Sequence, residues 1–326
     1  MAILNMVEAI RATLAAEMER DERVILLGQD IGRNGGMFRA TEGLQERFGE
    51  DRVVDMPLAE GVIVGSAVGL ACSGMRPIPE IQFLGFASQA FHQIEGQVAR
   101  MRFRSQGRHP MPIVIRAPFG GGVRTPEMHS DAHEAKYANS PGLKVVMPAS
   151  ARDAKGLLTE AIRGEDPVLF CEPLRGYRLI SDDVPDGDYA TPFGRLRIVR
   201  DGSDITLVAW SAAVVVAEQA AELAAQEGIS CQVLDLRTLV PLDADGLGEA
   251  VAATGRAVVM HEAPLTAGFG AEVVATIVEQ AFWSLTAPVL RVAAPDAPYP
   301  IASLEALYVP SAERVLEAIR RVMEAA

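Results

Sequence analysis

The chain has 326 residues, 49% of them hydrophobic and 22% charged, with a formal charge of −13. That length exceeds one ordinary core and sets an expectation of two domains of roughly 120 to 190 residues, while the acidity argues against a nucleic-acid partner, whose phosphates need a cationic surface. The charge-free apolar stretch 205–217 falls short of the roughly 18 residues a membrane span needs, so no membrane segment is expected.

Asn5, with Glu8 three residues on, has the form of a capping box, and Val7, Ile10, Leu14 and Met18 continue at helical spacing to Arg20. Residues 24–27 form a short apolar run ending at Gly28, the pattern of a buried strand. Gln29 and Asp30 then stand at the carboxyl end of that strand, the edge where open α/β sheets bind ligands. Thr41 is expected to cap a helix through Phe48, and residues 53–55 to form the next strand. Pro57, with its fixed φ and missing donor, is expected to open a helix at the first position. Glu60 thereby falls in a first helical turn, where its plainest role is to complement the helix dipole. Gly61, Gly65 and Gly69 recur every four residues in that helix. Each costs about 1 kcal/mol there, and close approach of a second helix is the expected compensation.

Residues 78–83 read as a strand and 88–104 as one helix ending in a solvated turn with Arg100, Arg102 and Arg104. After a strand over 112–117 comes the loop from Phe119 to His129, whose Gly120, Gly121 and Gly122 permit backbone approach to a ligand or simply a tight path. A strand over 143–147, a helix from Ser150 to Arg163 stopped by Gly164, and a strand over 168–172 complete the first series. Strands alternating with helices imply a doubly wound sheet. Periodicity lapses over 173–193, the expected linker, which gives domains of 1–190 and 191–326. The second series has strands over 205–209, 232–236, 257–260 and 289–292. Its helices run over 213–227, to just before Gly255, from about 270 to 282, and from Ser311 to Ala325. The fold class is therefore α/β with two doubly wound domains.

Cys72, Cys171 and Cys231 are scattered, a set that suits free thiols in a reducing cytoplasm, and residues 1–5 lack the basic segment of a secretory signal. Gly268-Phe269-Gly270 lacks the third glycine of a dinucleotide fingerprint, position 273 being Val. Walker, His-Glu-x-x-His and Gly-x-Ser-x-Gly motifs are absent, and the five histidines are too dispersed to propose zinc.

The stretch Asp55-Met56-Pro57-Leu58-Ala59-Glu60-Gly61, the segment Glu80-Ile81-Gln82-Phe83 with Phe86, and the glycine-rich loop ending in His129 together resemble the β subunits of thiamine-diphosphate-dependent 2-oxo acid dehydrogenases. The resemblance covers essentially the whole length. It implies a thiamine pyrimidine-binding domain followed by a transketolase C-terminal-like domain. Glu60 matches the glutamate that exchanges a proton with the aminopyrimidine ring, and Phe86 matches the aromatic residue packed on that ring. Leu58, Gln82 and Gln29 match further cofactor contacts, Gln29 standing where many relatives have Glu. His129 matches the loop histidine that acts as acid or base in acyl transfer, with Phe83 and Phe86 beside the substrate. Its neighbours Ser130-Asp131 depart from the commoner Ser-Gln.

The resemblance further implies a structural potassium held mostly by backbone at Ile113, Ala161, Ile162, Gly164 and Asp166. No Gly-Asp-Gly segment of the kind that holds magnesium and the diphosphate occurs in the chain. The family supplies that half from an α subunit, so the resemblance implies an α2β2 heterotetramer, magnesium held mainly by the α chain, and a lipoyl-bearing acyltransferase core as further partner. Residues 83–86, 118–123 and 291–296 look most like bacterial pyruvate-type β chains; branched-chain 2-oxo acid or acetoin specificity is the alternative. Two rivals are a non-catalytic assembly subunit, against which Glu60, Phe86 and His129 speak together, and a self-sufficient transketolase-like enzyme, whose double length and own diphosphate motif are lacking.

Overall fold

The computed structural model describes residues 2–325. Seven strands form the first sheet, in the order Thr238–Val240, Lys144–Val146, Val168–Pro173, Val114–Phe119, Arg76–Glu80, Val24–Gly28 and Val53–Asp55. All neighbours are parallel except the edge strand Thr238–Val240, which runs antiparallel to Lys144–Val146 although it comes from the second half of the chain. Five strands form the second sheet, in the order Leu290–Ala294, Ala257–Pro264, Ile205–Ala209, Cys231–Asp235 and Arg197–Arg200, the last antiparallel. One apolar cluster runs from Ile115 and Tyr137 of the first half to Trp210 and Val259 of the second, so the two sheets share buried contacts.

The helix Met6–Arg20 has the expected capping box, with Asn5 accepting from the Glu8 amide and Glu8 from the Asn5 amide. Ser150 caps Ala151–Arg163 and Gly164 ends it. In the second half Ser311 caps Ala312–Glu324, and Gly255, in the left-handed region, ends Ala244–Thr254.

Several local expectations are corrected. Thr41 does not cap a helix: its hydroxyl donates to the Ile31 carbonyl, and Leu44–Phe48 starts from a left-handed Gly43 instead. Pro57 lies outside its helix, which begins at Glu60, so Glu60 is itself the first helical residue. The strand expected over 78–83 is Arg76–Glu80, ending where its partner strand ends at Gly28. Residues 88–104 are not one helix. Leu84–Ala90 is a 3₁₀ turn, Ile94–Val98 a π turn, and only Phe91–Gln93 and Met101–Arg104 are α-helical. Leu84, Ala87 and Ala90 are buried at intervals of three, the 3₁₀ repeat, and Ile94 and Val98 follow at intervals of four, so the winding changes to keep one face inward. The expected linker 173–193 carries a helix, Gly176–Leu179, and a strand, Ser181–Val184, paired antiparallel with Ala2–Asn5.

Candidate active site

From Val24–Gly28 the chain moves outward to Val53–Asp55 on one side and to Arg76–Glu80 on the other, so the strand order switches direction between these neighbours. A crevice forms at the carboxyl edge of such a switch. That edge carries Gln29, the 55–60 stretch, residues 81–83 and the loop after Phe119. The Asp55 carboxylate accepts from the amides of Gly32 at 2.7 Å and Arg33 at 3.3 Å, which ties the segment after Gln29 to the start of the Glu60 stretch. Glu60 is half-buried at the positive end of the helix Glu60–Cys72, and its carboxylate makes no hydrogen bond or ion pair with another described residue.

That helix packs on the 84–93 segment. A Cβ on Gly61 would lie 3.4 Å from the Gln89 carbonyl and one on Gly65 3.7 Å from Gln93 Cγ, whereas Gly69 has nothing within 4 Å. Two of the three spaced glycines therefore face a neighbouring segment of the same chain. Gly85 is tighter: a Cβ there would sit 2.1 Å from the Met128 carbonyl, so only glycine lets the turn Glu127–His129 settle on this segment. The His129 ring then stands edge-on against Phe83 at 4.5 Å and Phe86 at 4.9 Å, and those two rings meet at 5.6 Å. Phe83 and Phe86, neighbours in the chain, thus form one aromatic cluster with His129 from a distant loop. Gln82 Nε2 and His129 Nδ1 are buried without a hydrogen-bond partner. Buried polar atoms are normally paired, so these mark a place where the chain's own chemistry is incomplete. Leu58 is 71% exposed and Gln29 half-buried on the same edge.

Beneath the aromatic cluster Phe38 packs edge-on against Phe83 and touches Tyr177, whose hydroxyl donates to Glu172. Arg116 donates to both Glu172 oxygens, at 2.7 and 2.9 Å, and to Glu80 at 2.6 Å. Burial works against its charge, yet the two carboxylates more than offset this and hold the guanidinium above its ordinary pKa.

At the opposite edge of the sheet, Arg76 donates to the carbonyls of Ile162, Arg163 and Gly164 and pairs with Glu165. Two residues expected to bind potassium, Ile162 and Gly164, thus already serve a guanidinium. The Ile113 carbonyl accepts from the Val168 amide, and the Asp166 carboxylate pairs with Lys144 and Arg102. Ala161 is buried in the last turns of the helix that Gly164 ends.

Sequence reasoning missed a buried group between the halves. Glu134 accepts from Trp210 Nε1 at 3.4 Å, and burial pushes its carboxyl up to about 7. Trp210 stacks on His261 at 5.2 Å, whose two nitrogens are unbonded and whose pKa burial pushes down to about 4. The signal was available: Trp210 follows the strand Ile205–Ala209 directly, so the carboxyl-edge rule applied to Gln29 pointed here as well.

With that geometry in hand, two family descriptions match the chain: "Transketolase, pyrimidine binding domain" over residues 3–179 and "Transketolase, C-terminal domain" over 194–315. The chain is 48% identical over 324 residues to the pyruvate dehydrogenase E1 component subunit beta of Bacillus subtilis (strain 168), covering 99% of this chain and 100% of that one. The protein of the same name from Staphylococcus aureus (strain N315) is 47% identical with the same coverage. A solved split-gene transketolase, described as an inactive beta4 tetramer, superposes with a TM-score of 0.82 at 24% identity over 99% of both chains, a likeness of fold.

Proposed function

The chain belongs to the family of β subunits of the pyruvate dehydrogenase E1 component, members of the transketolase-like, thiamine-diphosphate-dependent enzymes, and from that membership we propose that it takes part in oxidative decarboxylation of pyruvate with acyl transfer to a lipoyl domain. The observation that carries this reading is the meeting of His129 with Phe83 and Phe86 on the edge that also bears the unpartnered Glu60. The donor set fits the pyrimidine half of the cofactor. It offers one free carboxylate, the unbonded amide donor of Gln82 and the half-exposed ring of Phe86.

When bound, thiamine diphosphate supplies the thiazolium centre that stabilises a carbanion. Glu60, half-buried at the start of its helix, would be the group to exchange a proton with the aminopyrimidine ring. Gln82 orients that ring by donating from Nε2, and Phe86 packs on its face, with Leu58 and Gln29 as outer contacts. Phe83 and Phe86 keep water from the reacting carbon. His129 holds or releases a proton on the substrate side, where the acyl group leaves for the lipoyl arm.

The missing Gly-Asp-Gly segment supports an α subunit that holds magnesium and the diphosphate, in an α2β2 assembly served by a lipoyl-bearing acyltransferase core. No helix among the described residues is long and apolar enough to cross a membrane; the cytoplasmic place rests instead on the three scattered free cysteines. The division at residue 190 puts the cofactor contacts in the first domain and assembly in the second. Potassium enters this proposal only as a structural ion, sharing carbonyls with Arg76 through their second lone pairs.

The test is reconstitution with the α chain and comparison of kcat/KM for pyruvate and for branched-chain 2-oxo acids, with acylation of a purified lipoyl domain as readout. Pyruvate should be preferred; preference for the branched acids would overturn the substrate. Titration of this chain alone with cofactor and magnesium should show no tight binding, and micromolar binding without a partner would sink the two-chain reading.

A further inference from the structure

The loop that presents His129 is held by the other half of the chain. Apart from the single turn Glu127–His129 it has no regular structure, and Gly120, Gly122 and Arg124 all have positive φ. The three glycines make room for side chains. A Cβ on Gly120 would lie 2.8 Å from Glu262 Oε2, one on Gly121 1.7 Å from the Tyr299 hydroxyl, and one on Gly122 2.4 Å from Arg175 Nε. Two carboxylates then bind the loop backbone. The Gly121 amide donates to Glu262 Oε1 at 2.6 Å and the Arg124 amide to Glu305 Oε2 at 3.1 Å; the Tyr299 hydroxyl donates to the same Glu305 oxygen at 2.8 Å. Glu262 stands on the strand Ala257–Pro264 and Glu305 begins the helix Glu305–Tyr308, both of the second sheet's half.

A glycine-rich loop has many backbone states to lose, and hydrogen bonds from amides to a carboxylate are among the stronger ways to select one. We propose that Glu262 and Glu305 are positioning residues that set His129 against Phe83 and Phe86, so that the second half of the chain governs acyl transfer while the first governs cofactor activation. This rests on the reading of His129 as the acid or base of that transfer.

The experiment uses Glu262→Ala, Glu262→Gln, Glu305→Ala and His129→Ala. Trypsin cleavage after the exposed Arg124, mapped by mass on the full chain, reports loop order. Thiazolium hydrogen exchange and lipoyl-domain acylation are followed in the assembly with the α subunit. Glu262→Ala and Glu305→Ala should speed cleavage and slow acylation turnover by about tenfold or more, the worth of a lost hydrogen bond to a charged group, with exchange unchanged. Glu262→Gln, whose amide oxygen still accepts from Gly121, should restore most of both. Should Glu262→Ala fail to fold, Glu305→Ala on its four-residue helix carries the test. Unchanged cleavage, or normal acylation in Glu262→Ala and Glu305→Ala beside a deficient His129→Ala, would overturn the positioning role alone. Normal acylation by His129→Ala would remove the reading of His129 and this proposal with it.

Discussion

The Arg116 cluster and the His129 cluster are joined through the Phe38 and Phe83 rings, yet they treat polar groups in opposite ways. Around Arg116 every charge is answered: three guanidinium nitrogens reach two carboxylates, and Tyr177 adds a donor to Glu172. Around His129 the polar atoms are left over, with Gln82 Nε2 and His129 Nδ1 buried and unbonded. Charge and burial alone would have ranked the first cluster higher as a site. The difference teaches that a buried charge whose bonds close within the chain is a structural device, whereas unanswered groups at a sheet edge leave bonds that an outside molecule can complete.

Breaking the closed cluster should give the largest effect on stability. Arg116→Met leaves two buried carboxylates uncompensated, and a loss of about 3–5 kcal/mol is expected in urea unfolding at neutral pH. A loss below about 1 kcal/mol would mean that the network is not a structural device.

Glu134 sharpens the contrast through pH. Its carboxyl is raised from 4.5 to about 7 by burial, so the folded state keeps a proton that the unfolded chain releases. The stability it contributes is fully present below about 4.5 and is lost as pH rises through about 7. Glu134→Gln should flatten the decline over that window by up to roughly 3 kcal/mol, at about 1.4 kcal/mol per unit. Asp235, also raised to about 7 by burial, remains in both proteins, so the difference between their pH profiles reads Glu134.

On the open cluster, His129→Ala should cut acyl transfer to a lipoyl domain by about 10² while leaving thermal unfolding and thiazolium exchange nearly intact. Single-turnover acylation beside decarboxylation with an artificial electron acceptor separates the two steps. The smallest effect belongs to Gly69, which is helical with open space around it. Gly69→Ala should stabilise the isolated chain by about 0.4–1 kcal/mol in thermal unfolding, and any loss on assembly with the α subunit would locate a contact there.

Much of the architecture was legible because local rules agreed with the fold. Asn5, Ser150, Gly164 and Gly255 are caps and stops in both the chain and the structure. The antiparallel strands Ala2–Asn5, Ser181–Val184, Arg197–Arg200 and Thr238–Val240 were not foreseen, because each is short and its partner lies far away in sequence. The broken winding of 84–104 was hidden too, since apolar residues three and four apart fit one helix as readily as a 3₁₀ turn followed by a π turn. Of the residues proposed for the site, Glu60, Phe86 and His129 could be picked out by motif, whereas the contacts of Glu262 and Glu305 with the loop could not. Nothing local in a carboxylate at 262 reveals that it reaches a glycine 141 residues earlier.

The central claim is that Glu60 is left unpaired within its own chain in order to act on the cofactor. The direct measurement is hydrogen–deuterium exchange at the thiazolium carbon in the assembled enzyme, comparing wild type with Glu60→Gln, which keeps the shape and removes the ionisable group. An exchange rate lower by at least about 10², with unchanged thermal unfolding, is the predicted result. A wild-type exchange rate would contradict the account and return Glu60 to the plain role of a carboxylate at a helix start.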